Sequence, residues 1–156
     1  MLRHFVSSGI VLGLLTVVGC FSNATLGRKG PGGLSVGDIA PSVQIQQLVH
    51  GPPLNAANGE AVQVIEFWAT WCGPCLSGMP HLSELQVAYG DKVTILGITS
   101  EELSTVRTFL ASSAGNGKTW AEVVKYRMAI DDNGTTGAAY MRAAGMSSIP
   151  TAFIVG

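Results

Sequence analysis

The sequence predicts an α/β layer fold with a largely parallel sheet. Two observations carry this. Short β-branched or aromatic runs alternate with amphipathic segments of helical period. Their length and number fit one domain, and an apolar fraction of 47% is enough for one core.

The elements follow in order from residue 36. Val43 to Val49 reads as a short strand. Gly51-Pro52-Pro53 and Asn58-Gly59 are turn signals. Val62 to Trp68 is β-branched and aromatic, as a buried strand requires. Cys75 to Tyr89 has helical spacing, with Leu82, Leu85, Val87 and Ala88 expected on the inner face. Val93 to Ile98 is a second buried strand. Glu101 to Ala111 is a helix whose apolar stripe is Val106, Phe109 and Leu110. Tyr126 to Ile130 is a shorter strand, and Asp131-Asp132-Asn133-Gly134 a turn. Thr135 to Ala144 reads as a helix and Thr151 to Val155 as the last strand.

The first 35 residues have a different character. Arg3 and His4 precede an apolar run from Phe5 to Val18. That run falls short of the roughly 20 residues a membrane span needs and fits a secretory signal. Val17-Val18-Gly19-Cys20 is similar to a bacterial lipobox, in which the cysteine is lipidated and becomes the N-terminus. The alternative is cleavage after Ser22-Asn23-Ala24, which also offers small residues at the needed spacing. The expected organisation is a lipoprotein-type signal at 1–19, a Gly-rich tether at 20–35 and the folded domain at 36–156. Export is expected on either reading. A net charge of −1 with scattered Lys and Arg gives no nucleic-acid surface.

Three cysteines, Cys20, Cys72 and Cys75, are too few for a disulfide-built scaffold. The close pair needs its own explanation. Cys72 follows a buried strand and opens a helix, where free backbone N–H groups and the helix dipole favour an anion and lower a thiol pKa. Cys75 lies one helical turn on, so the two sulfurs can meet, with the first the more exposed. Pro74 is tolerated in a first turn, and Gly73 leaves the backbone open to a partner chain. Lowering a thiol from about 8.5 to about 7 raises its thiolate fraction at pH 7 roughly fifteen-fold, while intrinsic nucleophilicity falls roughly five-fold. The larger gain is that a low-pKa sulfur leaves more readily when its partner attacks. A structural zinc site needs four ligands, and His50 and His81 stand at no ligand-like spacing from the pair. No metal or other cofactor is expected.

The run Val64-Ile65-Glu66-Phe67-Trp68-Ala69-Thr70-Trp71-Cys72-Gly73-Pro74-Cys75 resembles the active-site strand and helix start of thioredoxins. It is most similar to exported, membrane-tethered TlpA/ResA-like thiol–disulfide oxidoreductases, relatives of the redoxins. Val36-Gly37-Asp38-Ile39-Ala40-Pro41 resembles the opening segment of these families, and Ile149-Pro150-Thr151 the segment with their cis-proline. The resemblance implies a thioredoxin-like three-layer sandwich with a central mixed sheet. After the cis-proline strand the family adds an edge strand and a final helix. The sequence stops at Gly156, so it reads as C-terminally incomplete.

The same resemblance implies roles. Cys72 would attack and Cys75 resolve. Trp71, Gly73 and Pro74 would flank the bound substrate, with Ile149 giving it backbone hydrogen bonds beside a cis Pro150; the plain alternative for Pro150 is a strand-entry proline. Glu66, six residues before Cys72, stands where thioredoxins carry a buried carboxylate that shuttles the resolving thiol's proton; the alternative is a half-exposed strand glutamate. Alternation puts Glu66 on the face of Val64 and Trp68. The implied partners are exported proteins with disulfides, an envelope or membrane thiol reductant, and the membrane itself through Cys20. Gly73-Pro74 between the cysteines matches reducing thioredoxins. Two rival activities share the fold. A peroxiredoxin-type peroxidase has its cysteine three residues after a threonine, whereas Thr70 precedes Cys72 by two. A copper chaperone uses a wider cysteine spacing and a distant histidine.

Overall fold

The computed structural model of the protein describes residues 33–53 and 61–156. The expected export signal, Cys20, most of the expected tether and the expected Asn58-Gly59 turn lie outside these residues. The elements are β1 (Ile45–His50), β2 (Val62–Phe67), α1 (Gly73–Tyr89), a 3-10 turn (Gly90–Lys92), β3 (Val93–Thr99) and α2 (Leu103–Ala111). There follow β4 (Ser113–Gly115), β5 (Lys118–Thr119), α3 (Trp120–Val123), β6 (Arg127–Asp131), a single turn α4 (Thr135–Gly137), a π-helical turn (Ala138–Arg142) and β7 (Thr151–Val155).

Five strands form one sheet in the order β1-β6-β3-β2-β7. The three central strands are parallel, and β1 and β7 run antiparallel along the edges. The sheet is therefore mixed rather than largely parallel. A helical crossover returns each central strand in the same direction, but it places no such constraint on the edges.

Each face of the sheet carries its own apolar cluster. On one face α1, α2 and α3 bury Met79, Val106, Phe109 and Leu110 against Trp68, Ile95, Tyr126 and Met128. On the other, Tyr140 of the π-turn closes over Ile65, Phe67, Leu96 and Ile98, with Leu34 and Val43 packed alongside. Alternation along β2 makes this division: Ile65 and Phe67 point one way, Val64 and Trp68 the other. Among the described residues no helix is long and apolar enough to cross a membrane.

Several expectations are corrected. Leu82 and Leu85 pack half-buried against the core as expected, but the fully buried stripe of α1 is Cys75, Met79 and Ser83, one turn apart. Val87 and Ala88 face solvent. Thr135 to Ala144 is one α-turn running into a π-turn, closed by Ala143 N–H on Ala138 O (3.3 Å) and Met146 N–H on Met141 O (2.8 Å). Gly137 permits this start, because a Cβ there would sit 3.2 Å from the Asp131 carboxylate that its own N–H binds. The hairpin of β4 and β5 and the short α3 have no counterpart in the sequence reading. Met79 is wholly buried between α1 and the sheet. Met79→Ala is expected to cost about 2–5 kcal/mol, seen as a lower denaturant midpoint at unchanged slope.

Candidate active site

The end of β2 delivers the site. Trp68 N–H donates to Ile98 O (3.1 Å), and the chain then turns over Ala69 to Cys72, closed by Cys72 N–H on Ala69 O (3.1 Å). Cys72 is the N-cap of α1, in extended backbone conformation, and its sulfur accepts the Cys75 N–H at 3.2 Å. Pro74 occupies the first turn, where its missing N–H has no helical partner. Cys72 and Cys75 are joined as a disulfide, Cα to Cα 5.2 Å. A backbone donor and the positive end of a seventeen-residue helix thus already point at Cys72 Sγ. This arrangement stabilises a thiolate on reduction.

The expected contrast in exposure between the two cysteines is small in the oxidised form. Cys72 is 4% exposed and Cys75 1%. Each sulfur covers the other, and both belong to the cluster under α1. What stands open is the rim: Trp71 is 75% exposed, and Gly73 and Pro74 are also exposed. The Ile149–Pro150 bond is cis. Ile149 packs against the cluster that holds both cysteines, and Pro150 lies at the surface. Trp71 and Ile149 line one cleft of about 320 Å³, together with Phe67, Met141 and Glu101.

Glu66 lies in the layer beneath. It is 3% exposed, on the face of Val64 and Trp68, which excludes the half-exposed alternative. Tyr126 Oη donates to Glu66 Oε2 at 3.4 Å. Burial pushes the carboxyl up to about 7, against a smaller opposing pull from the tyrosine bond. Burial and the Glu66 charge push the Tyr126 hydroxyl upward in turn. Gly97 pairs with Glu66 across the sheet. A Cβ there would lie 3.1 Å from Trp68 Nε1 and 3.2 Å from Tyr126 Cε2, so Gly97 lets both rings pack directly on β3 beside Glu66's pairing position.

Sequence reasoning missed Glu101. Its Oε2 accepts the Thr70 N–H at 2.6 Å and its Oε1 the Thr70 hydroxyl at 2.7 Å. The only local signal is an acidic residue just past the end of a buried strand. Cys20 lies outside the described residues.

The redoxin family model matches residues 35–155. Thioredoxin-like protein YneN of Bacillus subtilis is 32% identical over 114 residues, covering 70% of this chain and 66% of YneN. Thiol-disulfide oxidoreductase ResA of Oceanobacillus iheyensis is 37% identical over 62 residues, covering 36% of this chain and 32% of ResA. The chain thus spans about two thirds of the first of these relatives and a third of the second. The crystal structure of a thiol-disulfide isomerase from Corynebacterium glutamicum superposes with a TM-score of 0.56 at 16% identity, over 75% of this chain and 78% of that one. That likeness gives the thioredoxin-like fold, with its mixed sheet between two helical layers. By the family match across nearly all of the described domain, the chain belongs to the redoxin family.

Proposed function

We propose that the chain is an exported thiol–disulfide oxidoreductase that reduces protein disulfides through Cys72-Gly73-Pro74-Cys75. The observation that carries this reading is Cys72 Sγ at the N-terminus of α1, under the Cys75 N–H and bonded to Cys75. In the reduced protein, the Cys72 thiolate attacks a substrate disulfide. A Cys72–substrate bond forms, and one substrate sulfur leaves as thiolate and takes a proton. Cys75 then loses its proton, and its assigned acceptor is Glu66, whose pKa fits and which lies on the β2 face of Val64 and Trp68 that packs in the cysteines' cluster. Its thiolate attacks Cys72 Sγ and expels the second substrate sulfur. The substrate gains two electrons, and the protein is left with the disulfide described above. A dithiol donor in the envelope resets it. Trp71, Gly73, Pro74, Ile149 and Pro150 form the surface on which the substrate chain lies.

The direction follows from Gly73-Pro74. A histidine between the cysteines would further stabilise the thiolate and raise the potential, and none is present. The potential is expected below about −200 mV, nearer thioredoxin than DsbA. Titration of the soluble domain against glutathione or dithiothreitol measures it, and a value near that of DsbA reverses the direction.

Cys20 gives the proposed place of work. Lipidated there, the mature protein is held at the outer face of a membrane by several acyl chains, since one alone anchors only marginally. Mass spectrometry of the mature N-terminus is expected to find acylated Cys20. An N-terminus at Thr25, or an unmodified Cys20, contradicts it.

A further inference from the structure

We propose that Glu101 is a positioning residue that sets the reactivity of Cys72 by clamping the turn before it; this rests on the proposed thiol chemistry. The turn from Ala69 to Cys72 is closed by one backbone bond, and its next residue outward, Trp71, is exposed. What fixes it from outside is a carboxylate 31 residues away in sequence. Both Glu101 oxygens bind Thr70, one through its N–H and one through its hydroxyl. The fork is itself held, because Thr99 Oγ1 donates to Oε2 and accepts the Glu101 N–H, both at 3.3 Å. Hydrogen bonds to a charged acceptor are the stronger kind, and two to one residue fix orientation as well as distance.

The clamp acts on Cys72 through geometry. The thiolate is stabilised only while Sγ stays on the Cys75 N–H and the axis of α1, and such bonds weaken steeply with misalignment. Releasing Thr70 frees the segment that holds Cys72 at the N-cap. The carboxylate's own negative charge works the other way, since a nearby anion disfavours a thiolate. Glu66, buried on β2, and Glu102, the N-cap of α2, are kept in both variants. Clamp and charge therefore predict shifts of opposite sign.

The test is the pH midpoint for iodoacetamide labelling of Cys72 in the reduced protein, read by mass spectrometry. Glu101→Ala removes clamp and charge; Thr70→Val keeps the charge and removes one arm of the clamp. The midpoint is expected to rise by about half a pH unit to one unit in Glu101→Ala, and by less in Thr70→Val. Glu122→Ala is the control for lost stability. It breaks the capping box of α3, where Glu122 Oε2 accepts the Thr119 N–H and hydroxyl at 2.7 and 2.9 Å, without touching the turn. Its midpoint is expected to stay at the wild-type value. A fall in Glu101→Ala, or no change in either clamp variant, overturns the proposal. If Glu101→Ala fails to fold, Thr70→Val alone decides. Labelling needs no substrate, so a wild-type protein that reduced no disulfide would overturn the proposed function and leave this result to be read separately.

Discussion

Cys72→Ser is expected to abolish reduction of protein disulfides, with a loss on the order of 10⁴-fold or more. A serine hydroxyl supplies no anion at neutral pH, so the helix N-terminus that favours the Cys72 thiolate has nothing to stabilise. The remaining thiol, Cys75, lies inside the first turn of α1 and not at its N-cap, so it lacks the position that favours the Cys72 thiolate. Cys75→Ser behaves differently. The first attack proceeds, but nothing expels the substrate, and the protein stalls as a mixed disulfide. Release of free thiol from an oxidised protein substrate measures both.

Glu66→Gln is expected to remove a large pH dependence of stability. The folded carboxyl titrates near 7 against an ordinary value of 4.5. Below about pH 4.5 the folded and unfolded chains are both protonated, and Glu66 costs nothing through titration. Between about 4.5 and 7 the folded chain keeps a proton that the unfolded chain has lost, so stability falls as pH rises. Above about 7 the loss is complete, at about 3 kcal/mol for a shift of this size. Glutamine does not titrate, so this fall is absent from the variant. Denaturant midpoints at pH 5 and pH 8 in both proteins measure it: the wild type loses stability between them, and Glu66→Gln loses about 2.5 kcal/mol less. An equal fall in both would place the titrating group elsewhere. Under the proposed mechanism the variant also slows substrate release by about 10²-fold, because Cys75 has lost its proton acceptor.

The parts of this site that were legible in the sequence are those with a local cause. The apolar run from Val62, the glycine and proline between the cysteines, and the placement of Cys72 at a helix start each follow from neighbouring residues. Alternation put Glu66 on the correct face of β2, but its depth depends on Tyr126, just before β6, and on Gly97 of β3. The cis bond at Pro150 came through family resemblance, since an Ile-Pro pair carries no isomer in its spacing. The hairpin of β4 and β5 was overlooked despite a clear signal. Asn116 and Gly117 both have positive φ, as an Asn-Gly hairpin turn requires. Apolar periodicity near Tyr140 could not separate an α-turn from a π-turn, because the difference lies in backbone bonds. Val87 and Ala88 show the limit of apolarity as a guide, for a polar residue, Ser83, takes the inner position. Its hydroxyl is satisfied by Met79 O at 2.7 Å and the Lys125 N–H at 3.1 Å. Glu101 was invisible for the plainest reason: its partner is 31 residues away.

The measurement closest to the central claim is covalent trapping in the Cys75→Ser protein, expressed from Met1 as the whole sequence. Disulfide-linked complexes are isolated under conditions that block free thiols, and the joined cysteines are read by mass spectrometry. The account predicts partner proteins attached to Cys72, and none in a Cys72→Ser strain. Partners joined through Cys75 in the Cys72→Ser protein, with none on Cys72 in its counterpart, would contradict it.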